Sequence, residues 1–167
     1  MAAGTGPEAA AAADVISKIN WTGKPVPKTP PLVPLTAEEQ KRFESGKTLY
    51  ASRCAGCHGS EGEGKEKVAA LANSKWVNAP SVFPFRILAI GKEGPIGMMP
   101  PVVKQLNDDQ IADVLTYIRR AWGNTGSPIA PVEVRETRQG NVHTGVWTEE
   151  ELTKLLQAAG RGRGGQN

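Results

Sequence analysis

The chain contains two cysteines, and both lie in one pentapeptide, Cys54-Ala55-Gly56-Cys57-His58. Two thiols three positions apart do not make a structural disulfide framework, which staples distant parts of a chain. A zinc site needs four ligands, and the only other ligand of that soft or imidazole kind is His143. A thioredoxin-like redox pair belongs on a βα unit, whereas an amphipathic helix pattern precedes Cys54. The remaining chemistry is covalent attachment of haem c. Two thiols add across the two vinyl groups, and the bridge sets the next residue beneath the iron, where His58 supplies a ring nitrogen. Ala55 and Gly56 are small enough to let the backbone lie close to a flat macrocycle.

A haem iron bound by His58 has a sixth position, and candidates for it are few. Apart from Met1, the methionines are the adjacent Met98 and Met99. A thioether there favours Fe(II) and raises the reduction potential. Both sit in Gly94-Pro95-Ile96-Gly97-Met98-Met99-Pro100-Pro101, whose glycines and prolines predict a loop rather than a helix. Pro100 pushes the residue before it into an extended conformation, which favours Met99 as the presented side chain. Competing readings are two methionines that only fill core, and His143 as the sixth ligand. Haem propionates need donors, for which Arg86 and Trp76 are the candidates. The imidazole of His58 needs its second nitrogen held, and the backbone of Ala69-Ala70-Leu71 is placed to do it.

These residues need elements to position them. Thr36 and Glu39 form a capping box, so a helix is expected from Ala37 to about Ser52, with Phe43, Gly46, Lys47 and Tyr50 on one face. Glycine in mid-helix costs about 1 kcal/mol relative to alanine, a cost that a close crossing by another helix would justify. Asn107 and Gln110 start a second helix, Asp108 to about Trp122, with Ile111, Val114, Leu115, Ile118 and Trp122 on its buried face. Gly123 is expected to stop it in the left-handed region. Phe83 to Ile90 reads as a shorter helix. No alternating strand pattern is visible, so the fold expected is all-α with long loops.

Three regions follow. Residues 1–35 read as a Pro/Ala-rich extension, with a helical turn or two at Val15–Ile19. Residues 36–123 read as the compact domain. Residues 124–167 read as a C-terminal extension, with a short helix after the capping box of Thr148 and Glu151 and a disordered stretch from Arg161 to Asn167. Arg161-Gly162-Arg163-Gly164-Gly165 matches an RNA-binding composition only weakly, and a formal net charge of +3 is mild for a nucleic-acid binder. No apolar run reaches the roughly 18–20 residues that span a bilayer. Met1–Ala13 lacks the cationic start and apolar core of a signal peptide. Bacterial attachment of haem to this motif takes place outside the cytoplasm. The sequence therefore reads as a mature form or a piece of something larger, with a periplasmic or other extracytoplasmic location.

The pattern Tyr50, Cys54-Ala55-Gly56-Cys57-His58-Gly59, Met99-Pro100-Pro101, and a capped helix ending Leu115-Thr116-Tyr117-Ile118-Arg119 resembles a class I c-type cytochrome. The resemblance implies a small fold whose N- and C-terminal helices cross around one haem, with Gly46 near Tyr117, His58 and Met99 as axial ligands, and an electron-transfer role. A narrower resemblance rests on Trp76-Val77, Arg86-Ile87-Leu88, Gly94-Pro95-Ile96, Trp122-Gly123-Asn124, Val132–Arg138 and Trp147-Thr148-Glu149-Glu150-Glu151-Leu152. These are similar to bacterial cytochrome domains attached to periplasmic dehydrogenases, some of them quinoprotein enzymes. It covers roughly residues 40–156 and implies a redox protein partner, a dehydrogenase or oxidase. The stretch between Gly-Pro-Ile and Met-Pro is shorter here than in those domains, and no dehydrogenase domain lies in the chain.

Function is thus expected to be single-electron transfer rather than catalysis, in a carrier or an electron-transfer subunit of an oxidoreductase. The alternative, a haem enzyme or sensor of peroxidase type, requires a labile sixth ligand and a distal acid–base group, for which only His143 and Arg86 are at hand. Lys47, Lys65, Lys67, Lys75, Lys92 and Lys104 are candidates for a docking surface. Residues 36–123 carry 12 basic and 10 acidic side chains, so electrostatic steering should be weak.

Overall fold

The first helix, α1 (Ala37–Arg53), opens as its residue types require. The Thr36 hydroxyl accepts the Glu39 N–H at 3.3 Å, while the Glu39 carboxylate accepts the Thr36 N–H at 2.7 Å. Two otherwise orphaned donors are satisfied reciprocally. The structure is a computed structural model, which describes residues 32–94, 97–140 and 143–163, with side chains to residue 160. The expected helical turn at Val15–Ile19, nearly all of the 1–35 extension, and residues 164–167 lie outside the described residues.

Beyond α1 come a single turn, α2 (Ala55–His58), then α3 (Lys75–Asn78) and α4 (Val82–Ile90). Two short strands, β1 (Lys92–Gly94) and β2 (Gly97–Met99), precede a 3₁₀ turn at Val103–Gln105. The chain continues with α5 (Asp108–Arg120), α6 (Pro131–Gln139) and α7 (Glu149–Arg163). From Pro34 onward the described residues form one packed unit.

Helix α5 also starts on a capping box: Asn107 accepts from the Gln110 N–H at 2.9 Å, and Gln110 accepts from the Asn107 N–H at 3.0 Å. Its apolar stripe is fully used, with Ile111, Val114, Leu115 and Ile118 buried. Each such side chain is worth about 1.5–3 kcal/mol when removed from water. Helices α1 and α5 cross at Gly46, whose missing Cβ would lie 2.9 Å from the Tyr117 Cβ and closer still to the Asp113 carbonyl oxygen. Around the crossing, Phe43 and Tyr50 pack on Tyr117 with ring centroids 5.0 and 5.5 Å apart. Lys47, assigned by spacing to the same face, is exposed.

The structure differs from the expectations in four places. Helix α5 ends at Arg120 instead of Trp122, because Trp122 turns to a φ of 53° and folds its ring back onto Tyr50 and Tyr117, at 4.9 and 5.1 Å. The fold is all-α except for a two-stranded antiparallel hairpin, in which Lys92 pairs with Met99, Glu93 with Met98 and Gly94 with Gly97. Strands of three residues are too short to show alternation in sequence. The stretch read as an appendage after residue 123 enters the core, through Ile129, Val134, Trp147 and Leu152. Finally, α7 continues through Arg163, into the stretch expected to be disordered; Ala158, Ala159 and the arginines are good helix formers.

Polar brackets tie this C-terminal stretch to α5. Thr116 accepts the Ile129 N–H at 3.0 Å. Asn124, 1% exposed, donates to the carbonyls of Leu71 and Ile118 at 2.9 and 2.8 Å and accepts from Asn78 at 2.8 Å. Arg119, 3% exposed, donates to three carbonyls. Helix α7 is tied in by Glu149, whose carboxylate meets Lys75, Lys92 at 2.7 Å and the Trp76 indole N–H at 3.1 Å. Burial alone would push Glu149 up, but its bonds from Lys75, Lys92 and Trp76 outweigh that and hold it at about 2. A depressed carboxylate pKa stabilises the fold above the unfolded value near 4.5 and loses that contribution as pH falls towards 2. The expected result for Glu149→Gln is therefore a loss of about 1 kcal/mol at pH 7, discounted because the side chain is partly exposed. The gap to the parent should close between pH 4.5 and 2. Thermal melts of both proteins across that range check it; a gap independent of pH would count against the ion pairs.

Candidate haem site

Residues 50–72 build a socket around His58. Tyr50, buried in the last part of α1, donates its hydroxyl to the Gly59 carbonyl at 2.6 Å. The Cys54 N–H closes α1 on Tyr50 O at 2.8 Å, and α2 starts at once. Cys54 is therefore half-buried under the end of α1, and Cys57 one turn on is exposed. Burial, reinforced by the neighbouring Cys57, pushes the Cys54 thiol up to about 11. Among the described residues, no group of three or more His, Cys, Asp or Glu side chains is placed to hold a metal ion.

The loop after α2 turns back on itself to reach the histidine. Leu71 and Ala72 donate to the Gly62 carbonyl at 2.7 and 3.0 Å, and Gly64 donates to His58 O at 2.8 Å. Gly64 stands at φ +76°, where a Cβ would meet the backbone of Val68 and Ala70, so only glycine allows the tight return. The outcome is Ala69 O at 3.1 Å from His58 Nδ1, within the three-residue stretch proposed from sequence. A carbonyl accepts only, so Nδ1 carries the proton and Nε2 keeps its lone pair for a metal. Burial lowers the His58 pKa against the opposing pull of that carbonyl, which keeps the ring neutral as a ligand requires. Lys65 reaches over to the Gly56 carbonyl in the thiol-bearing turn.

Hairpin β1–β2 separates the two methionines. Met98 points outward, 61% exposed, whereas Met99 is partly buried against both hydrophobic clusters of the core. Successive strand residues face opposite ways, which is why one of the two is turned inward. Of the propionate candidates, Trp76 is buried but its indole N–H is engaged by Glu149. Arg86 lies over the rings of Phe83 and Trp147, at 5.9 and 5.5 Å, and its Nε is buried without a partner in the protein. His143, the alternative sixth ligand, stacks on Trp147 with centroids 3.5 Å apart. Sequence reasoning passed over Trp147 as a site residue. Its signal was faint: an indole just ahead of a capping box, in a stretch read as appendage.

Residues 43–122 match the cytochrome c family. They are a cytochrome c domain. The chain is 30% identical over 129 residues to the gluconate 2-dehydrogenase cytochrome c subunit of Pantoea cypripedii, covering 65% of this chain and 29% of that one. It is 27% identical over 88 residues to cytochrome c-L of Methylorubrum extorquens, covering 53% and 44%. It is also 35% identical over 79 residues to the cbb3-type cytochrome c oxidase subunit CcoP of Helicobacter pylori, covering 46% and 27%. The chain thus spans less than half the length of each of these relatives. The cytochrome c domain carries covalent haem c and serves electron transfer. The residues present fit that group: a neutral imidazole is held by its far nitrogen, two thiols precede it at the attachment spacing, and buried donors without protein partners are available to carboxylates. When bound, haem c supplies a one-electron couple between Fe(II) and Fe(III). Among the described residues, no helix is long and apolar enough to cross a membrane.

Proposed function

We propose that this cytochrome c domain passes single electrons between a redox partner and a respiratory acceptor outside the cytoplasm, with His58 and Met99 as the axial ligands. Cys54 and Cys57 hold the haem, and Arg86 serves a propionate. The observation that carries the reading is the pairing of a carbonyl-oriented His58 with a hairpin that turns Met99 inward and Met98 outward. Two strong-field ligands leave no open position for substrate, which suits a carrier rather than a peroxidase. A dehydrogenase or an oxidase is the partner class, by analogy with the relatives' names. Docking would be small and transient. Of the six candidate lysines, Lys75 and Lys92 are tied to Glu149 and Lys65 to Gly56, while Lys47, Lys67 and Lys104 are exposed.

The test is an optical spectrum of protein made with haem-maturation machinery, oxidised and reduced. The far-red charge-transfer band of a methionine–ferric iron bond is expected. It should vanish in Met99→Ala and survive in Met98→Ala. A high-spin ferric spectrum that shifts readily with added small ligands would sink the carrier reading and promote the enzyme or sensor.

A further inference from the structure

We propose that the C-terminal segment completes the cofactor site: Arg86, Trp147 and His143 together hold a carboxylate, a propionate of the haem, through donors of which two lie outside the cytochrome c match. The inference rests on the haem reading above. Three buried side-chain polar atoms among the described residues find no hydrogen-bond partner in the protein, namely Arg86 Nε, Trp147 Nε1 and His143 Nε2. They are not scattered. The Arg86 guanidinium carbon lies 5.5 Å from the Trp147 ring centroid, and the His143 ring stacks on Trp147 at 3.5 Å, tilted by 9°. Trp147 itself is 5% exposed, so water reaches its N–H poorly. A buried polar group left unpaired is costly, and three in one stack ask for a shared partner. A guanidinium beside an indole N–H and an imidazole nitrogen suits planar acceptor oxygens bearing negative charge. Glu149, two residues beyond Trp147, is already engaged by Lys75, Lys92 and Trp76.

The position agrees with the chemistry. The Trp147 main chain pairs with Lys92 of β1, through Trp147 N to Gly91 O at 3.1 Å and Glu93 N to Trp147 O at 2.7 Å. Lys92 in turn pairs with Met99 across the hairpin. Trp147 therefore sits in the same row as Met99, and Trp76, Phe83, Ile87 and Trp147 belong to one of the two clusters Met99 packs against. One backbone layer thus fixes both Met99 and Trp147, the ring beside which Arg86 and His143 lie. The segment read as an appendage is then a wall of the cofactor site.

The experiment uses the full haem-loaded chain and the variants Trp147→Phe, His143→Phe and Arg86→Met. The readouts are the midpoint potential and the propionate bending band of the resonance Raman spectrum. Losing a donor leaves more negative charge beside the iron and favours the ferric state. The redox equilibrium should shift towards it by about threefold in Trp147→Phe and about tenfold in Arg86→Met, the latter about 59 mV for one electron. The propionate band should move in all three while the covalent haem spectrum is retained. His143→Phe keeps the stack and carries the test if Trp147→Phe fails to fold. An unmoved band and potential in haem-loaded variants would overturn the inference and leave the haem reading intact. Absence of haem from the parent protein would instead overturn the reading beneath it. If millimolar acetate moves the parent's potential to the Trp147→Phe value, the donors serve a free anion and the propionate assignment fails.

Discussion

Gly46→Ala is expected to destabilise the domain by about 2–3 kcal/mol, although alanine favours a helix over glycine by about 1 kcal/mol. The reason is what the new methyl group meets. At the crossing of α1 and α5 it runs into the Asp113 carbonyl and, at 2.9 Å, the Tyr117 Cβ. These are backbone and the root of a side chain, not the far end of a flexible one, so relief requires moving a helix. Moving α5 disturbs Ile111, Val114 and Leu115, and with them the ring contacts of Tyr117 with Phe43 and Tyr50. Tyr50 holds Gly59, and so the crossing reaches the turn that carries His58. Gly160→Ala is the control. It is also a helical glycine, but a Cβ there meets nothing within 4 Å, so it should be neutral or slightly stabilising. Denaturant unfolding of the haem-loaded proteins, followed by far-ultraviolet circular dichroism, separates them. Equal stability of Gly46→Ala and the parent would mean that the helices do not touch at this point.

The same glycine shows what the sequence makes legible. A glycine between Phe43 and Tyr50 in a capped helix has one economical explanation, a close crossing, and the crossing is there. The Cys54–His58 motif, the three capping boxes and the Ala69 carbonyl are equally local: each rests on contacts within about a dozen residues or on a fixed spacing. The inward choice of Met99 over Met98 followed from Pro100, although the hairpin that enforces it did not. What escaped notice depends on distant contacts. Nothing in Trp76 says that its N–H will meet Glu149, 73 residues away. Nothing in Trp147 says that it will pair with β1 and lie beside Arg86. Prolines and glycines after residue 123 describe the local path of the chain, but not whether it returns to the core. The burial of Ile129, Val134 and Leu152 is decided by tertiary packing.

Arg119→Met should cost more, about 3–5 kcal/mol, because it removes donors from a buried site while filling similar volume. Arg119 Nη1 donates to Val77 O and Ala79 O at 2.6 and 2.7 Å, and Nε donates to Ser127 O at 2.7 Å. Burial pulls the guanidinium pKa down and Glu133 pushes it back up. Arginine nonetheless stays charged, and its rigid fork suits carbonyls arriving from two directions. The Val77 and Ala79 carbonyls come from the α3–α4 junction that presents Trp76. The Ser127 carbonyl comes from the segment leading through Ile129 into α6. A Cβ on Gly126 would lie 2.7 Å from the guanidinium carbon, so that segment runs directly over the arginine. Methionine would leave all three carbonyls without a donor in a dry interior, each a penalty of about 1–3 kcal/mol before relaxation. Arg119→Lys keeps the charge but offers one point donor in place of a fork, and should recover only part of the loss. Amide exchange gives the sharper readout. Protection should fall first around residues 124–134 and 77–80, while α1 and the His58 turn keep theirs until global unfolding. If instead protection falls evenly along the chain, Arg119 is ordinary core rather than the bolt between α5 and the C-terminal segment. That distinction bears on the cofactor site, since the bolted segment continues to Trp147.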